Sequence, residues 1–129
     1  MILIVDDDPN LAENCSMFLE TYGYEVNIAL SGEDALSQIQ ARQPDLLISD
    51  CLMSELSGLE LSQRLNAGPK GSSFPILLMS GSLQSQVAPG KSYDAFIKKP
   101  FLAENLLTEV RKMLDVNFRS FREATQGNK

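Results

Sequence analysis

Apolar residues fall along the chain in short continuous runs, each separated from the next by a longer segment with helical spacing. Ile2 to Val5, Leu46 to Ser49 and Ile76 to Met79 lack the alternation of half-exposed strands, which predicts strands covered on both faces. Glu25 to Ala29 alternates and Asp94 to Lys98 is short; these predict two more strands. Behind the first strand, Leu11, Cys15, Phe18, Leu19 and Tyr22 recur at helical spacing, with Asp8 as N-cap, Pro9 as first helical residue and Gly23 as stop. Ser31-Gly32-Glu33-Asp34 resembles a capping box and opens a second helix with Ala35, Leu36 and Ile39 inward, which Gln43-Pro44 closes. Leu59 to Leu65 predicts a third helix. Ser82 to Ser92, poor in apolar residues and broken by Pro89-Gly90, allows at most a short, irregular one. A last helix begins near Ala103, with Leu106, Leu107, Val110 and Leu114 on one face.

Strands alternating with helices at this spacing form right-handed βαβ units, hence an α/β domain with a five-stranded parallel sheet and helices on both faces. All strand C-termini then lie on one edge, which gathers Asp6-Asp7-Asp8, Asp50, Ser80 and Lys99 from distant parts of the chain. Two carboxylates ~4 Å apart repel by about 4 kcal/mol at an effective dielectric of ~20, so the cluster calls for a divalent cation and the lysine to neutralise it. Oxygen-only ligands favour Mg²⁺ or a similar hard ion. A hard cation, a lysine and a hydroxyl around one carboxylate also make a receptor for a phosphoryl group, with Asp50 as nucleophile and Ser80 and Lys99 around the incoming oxygens.

Composition narrows the chemistry further. The 129 residues suffice for one domain with a single core. There is no histidine, which excludes a Ser-His-Asp triad, a Cys-His pair and a His-ligated zinc site built from the chain's own residues. A net charge of −6 argues against a nucleic-acid surface. No apolar run approaches the ~20 residues of a membrane span, and Ile2 to Val5 leads into three acids without the basic flank of a signal peptide, so a cytoplasmic protein is expected. Cys15 and Cys51 stand apart in apolar surroundings, as buried reduced thiols do.

The motifs "ILIVDDDP", "DLLISD" with Gly58 eight residues after its last aspartate, "ILLMSG" and "FIKKPF" stand in an order that resembles the receiver domains of two-component response regulators, chemotaxis receivers among them. The resemblance covers about residues 2–114. It implies a flavodoxin-like fold of strand order 2-1-3-4-5, with Asp50 as phosphoacceptor. It implies Mg²⁺ held by Asp7 directly, by Asp6 mostly through water, by Asp50 and by the backbone carbonyl of Leu52. Ser80 matches the switch hydroxyl, Lys99 the lysine that precedes a proline with a typically cis peptide, and Phe96 the aromatic switch position. The implied function is a signalling switch that catalyses only its own phosphorylation and dephosphorylation. The phosphoryl group would come in trans from the phosphohistidine of a sensor histidine kinase or histidine phosphotransfer protein. An output domain or partner protein would read the state, with no direct nucleic-acid contact and no membrane.

Several positions depart from the family pattern. Ser54 stands where proline is usual, Ser57 where an acid is common, and Leu102 where a polar helix cap is expected. Only fifteen residues separate Ser80 from Phe96, fewer than the family usually has, which motivates a second reading: an interaction module that keeps the fold but does not switch. A third is a haloacid-dehalogenase-type phosphatase, since Asp6-x-Asp8 after an apolar strand resembles that nucleophile motif. Pro9-Asn10 and the missing later acidic pair speak against it. The expected organisation is a receiver domain over 1–114 and a helical extension or linker over 115–129. Leu114, Phe118 and Phe121 share a face there if the last helix continues.

Overall fold

The computed structural model describes residues 1–51, 53, 56–67, 73–81 and 93–115. Among these residues the elements run β1 (Ile2–Val5), α1 (Pro9–Thr21), β2 (Val26–Ala29), α2 (Gly32–Ala41), β3 (Leu46–Asp50), α3 (Gly58–Leu65), β4 (Ile76–Ser80), β5 (Ala95–Lys98) and α4 (Ala103–Leu114). The strands form one parallel sheet in the flavodoxin-like order β2-β1-β3-β4-β5. The irregular helix expected after Ser80 and the extension expected past Asp115 lie outside the described residues.

Every residue of β1, β3 and β4 is buried, and the two faces of these strands feed separate core layers. Ile2, Ile4, Leu46, Ile48, Leu77 and Met79 meet α1 and α4 through Ala12, Cys15, Leu19, Leu106, Leu107, Val110 and Met113. Leu3, Val5, Leu47, Ile76 and Leu78 meet α2 and α3 through Ala35, Ile39 and Leu61. Alternate side chains therefore have a helix layer to bury against on either face, which is why the sequence shows unbroken apolar runs. The edge strands are less covered: β2 keeps its outward residues partly exposed and β5 buries only Ile97.

Local chemistry explains the boundaries. Asp8 caps α1, its Oδ1 accepting from the backbone N–H groups of Asn10 (3.0 Å) and Leu11 (3.4 Å). Gly23 takes φ +92°, the left-handed conformation that ends the segment. Ser31 caps α2 by accepting from Asp34 N at 3.0 Å, and Ser57 caps α3 by accepting from Glu60 N at 3.1 Å. Two inward positions differ from the spacing rule. Tyr22 is the C-cap of α1 and half exposed, with its ring edge-on to Phe18 and the Arg111 guanidinium 5.5 Å from its centre. On α4 the fully buried fourth position is Met113, with Leu114 only partly buried.

Candidate functional site

Four strand ends converge as the topology requires. Asp6 follows β1, Asp50 ends β3, Ser80 ends β4 and Lys99 follows β5. Asp6, Asp50 and Ser80 are buried, whereas Asp7 is exposed at the rim. The carboxylates of Asp6, Asp7 and Asp50 each place an oxygen within 4.8 Å of the others. Lys99 Nζ reaches into this cluster, 3.2 Å from Asp6 Oδ2 and 3.3 Å from Asp50 Oδ1.

Burial alone would push the Lys99 pKa down, but the charges of Asp50 and Asp6 and the hydrogen bonds to both outweigh it and hold the ammonium above its ordinary value. One lysine thus offsets two buried acids, and Asp7 brings a third carboxylate at the open side. That surplus of negative charge, on oxygen ligands alone, fits a hard divalent ion. Asp6 is also oriented by the chain, since its Oδ1 accepts from Asp8 N at 2.9 Å. The remaining ligand implied by the family pattern, the Leu52 carbonyl, lies outside the described residues.

The backbone around Asp50 is tightly confined. Its carbonyl accepts from Ser49 Oγ at 3.0 Å, Cys51 N donates to Met79 O at 2.7 Å, and Gly58 N donates to Cys51 O at 2.9 Å. A Cβ on Gly58 would fall 2.0 Å from the Asp50 carbonyl oxygen, so only glycine lets α3 start this close to the strand end. Ser49 was not singled out by pattern; a hydroxyl inside an otherwise apolar strand beside a carboxylate is the signal it offers.

Residues 2–111 match the family model of the response regulator receiver domain. The chain belongs to that family. It is 36% identical over 116 residues to the response regulator MprA of Mycobacterium avium, covering 88% of this chain and 50% of MprA. It is 33% identical over 116 residues to the DNA-binding dual master transcriptional regulator RpaA of Synechocystis sp., covering 88% and 48%. The chain therefore spans about half the length of these curated relatives. Among solved structures, the response regulator TrrA of Thermotoga maritima, in complex with Mg²⁺-BeF, is similar at 32% identity and TM-score 0.79, covering 88% of this chain and 97% of that one. The receiver domain of a signal transduction histidine kinase from Syntrophus aciditrophicus matches at 33% identity and TM-score 0.79, covering 88% of each.

Other features of this receiver domain follow the family pattern. The Lys99–Pro100 peptide is cis, and Lys99 N donates to Ser80 O at 2.8 Å, tying the ends of β4 and β5 together. Phe96 pairs with Leu78 in register and Lys98 with Ser80, so Phe96 and Ser80 lie on one face of the sheet, two residues apart along adjacent strands. Phe96 is half-buried against the α2/α3 core layer, where Tyr93 also packs. Asp8, the second acid of the phosphatase reading, is exposed and engaged as the α1 cap, and nothing in the site favours that reading. No helix among the described residues is long and apolar enough to cross a membrane. On the outer side of Lys99 opens a cavity of about 530 Å³, lined by Leu11, Gly81, Lys99, Pro100 and Phe101.

Proposed function

We propose that Asp50 accepts a phosphoryl group from the phosphohistidine of a partner, with Mg²⁺ held by Asp6, Asp7 and Asp50. The observation that carries this reading is Lys99 Nζ standing 3.2 and 3.3 Å from the carboxylates of Asp6 and Asp50 at the carboxyl edge of the sheet. A bound divalent ion would offset the acidic charge and draw the phosphoryl oxygens toward the cluster. Lys99 keeps its proton, neutralises charge on the transferred group and holds the Asp50 carboxylate in place. Asp50 Oδ attacks phosphorus, the bond to the donor nitrogen breaks, and the nitrogen keeps the electron pair. In this reading Ser80, at the end of the neighbouring strand, donates to a phosphoryl oxygen. Movement of its backbone toward that oxygen would open space on the face where Phe96 lies half-buried, which is the conformational signal we assign to the pair. The donor class is a sensor histidine kinase or histidine phosphotransfer protein, since this chain has no histidine of its own. Residues 1–114 form the receiver unit in this reading, and 115–129 a C-terminal extension or linker.

Intact mass after incubation with Mg²⁺ and acetyl phosphate tests the chemistry. The wild type is expected to gain one phosphoryl group, and both Asp50→Asn and an EDTA control are expected to gain none. A gain that persists in Asp50→Asn would assign the phosphate to another residue.

A further inference from the structure

Among the described residues, the cavity beside Lys99 is lined by that lysine together with Leu11, Gly81, Pro100 and Phe101. Leu11 stands on the first turn of α1, Pro100 and Phe101 follow β5, and Gly81 follows β4. Lys99 belongs both to this lining and to the acid cluster, with its Nζ 3.3 Å from Asp50 Oδ1, so a ligand whose phosphoryl group engages Asp50 and Lys99 has this cavity next to it. Its volume of about 530 Å³ falls in the range of small-molecule sites, which runs from roughly 300 to 1,000 Å³. Asp50 and Asp6 are buried and Lys99 only partly exposed, so a donor whose phosphoryl end reaches Asp50 passes Lys99, the residue that the acid cluster and the cavity share.

We infer that the Leu11–Pro100–Phe101 cavity binds the apolar leaving group of small acyl phosphate donors and so sets which donors phosphorylate Asp50. This rests on Asp50 being the phosphoacceptor. The step is balanced with an aromatic acyl phosphate. An Asp50 carboxylate oxygen bonds to phosphorus as the bond from phosphorus to the acyl oxygen breaks, and the arylcarboxylate leaves with that electron pair, requiring no proton. Apolar contact with the ring is present in both ground and transition states, so it acts on kcat/KM chiefly through KM.

Acetyl and benzoyl phosphate carry leaving groups of similar basicity and different apolar surface, which isolates the cavity's contribution. With Mg²⁺ present, initial rates of mass gain are expected to show kcat/KM about tenfold higher for benzoyl phosphate, the scale of burying one small apolar group. Leu11→Ser is expected to bring the ratio of the two donors toward one. As a measurement on the wild type alone, benzoate is expected to inhibit phosphorylation at concentrations where acetate does not. A wild-type ratio near one, a ratio unchanged in Leu11→Ser, or equal inhibition by the two carboxylates would overturn the cavity assignment while leaving Asp50 as acceptor. No mass gain from either donor would overturn the Asp50 reading and this one with it.

Discussion

Lys99 and Cys51 show how single side chains at the strand ends feel the acid cluster. Lys99 has two buried carboxylates within 3.3 Å and keeps its proton because their attraction exceeds the penalty of its own burial. Cys51, the residue after Asp50, has the reverse situation: burial, with the Asp50 charge adding to it, pushes its thiol from 9.0 up to about 11. Between those values the folded chain keeps a proton that the unfolded chain has released, so stability falls as pH rises through that window and this loss is absent below it. Lys99, raised above its ordinary value of 10.5, acts in the same direction at the upper end. Urea midpoints are expected to hold steady from neutral pH to about 9 and to fall above it, in keeping with the direction of both shifts. Cys51→Ala should make that fall shallower, and an unchanged slope would exclude the thiol as its source. Both cysteines were legible as buried thiols from their apolar neighbours. That both also lie in the field of Lys99 was not, because that lysine is far away in the sequence.

At the scale of elements, α1, α2 and α3 start with side-chain caps, of which the sequence announced Asp8 and Ser31 but not Ser57, and α4 has none. Leu102 holds the N-cap position in extended backbone (φ −78°, ψ 142°), makes no side-chain cap hydrogen bond and is 62% exposed. Its side chain therefore contributes little packing, while the first N–H groups of α4 have no side-chain acceptor from the cap. Leu102→Asp is expected to stabilise the domain by about 1 kcal/mol, through the cap bond and the helix dipole together. Thermal unfolding would register this as a higher midpoint, and a lower one would mean that Leu102 is covered by something the isolated domain needs. This position was readable in advance, since a leucine before Ala103-Glu104 breaks the cap pattern. The start of α3 was readable only in part. The spacing of Gly58 from Asp50 was visible, but that the glycine must lie against the Asp50 carbonyl depends on where the loop brings the helix.

Across the whole molecule, the sheet divides into an enclosed centre and two partly open edges. β1, β3 and β4 are buried throughout, whereas β2 and β5 leave positions exposed. Amide hydrogen exchange should therefore be slowest in the three central strands and faster in the two outer ones. Comparable protection in β5 and β3 would contradict that gradient. The same enclosure fixes the site, because buried carboxylates at the ends of β1 and β3 are held by strands that cannot move without opening both core layers. The sequence by itself determined the element order, the burial of the central strands and the residue types that would collect at the carboxyl edge. Those follow from local periodicity, caps and the geometry of parallel sheets, each readable within a few residues. Only the tertiary structure decided that Lys99 spans Asp6 and Asp50, that Tyr22 and Leu114 turn out of the deep core while Met113 takes its place, and that a cavity opens between α1 and the β5–α4 turn. These depend on side-chain reach and on the angles at which separate elements meet. Such quantities are set by packing residues that are distant in the chain, and no local pattern encodes them.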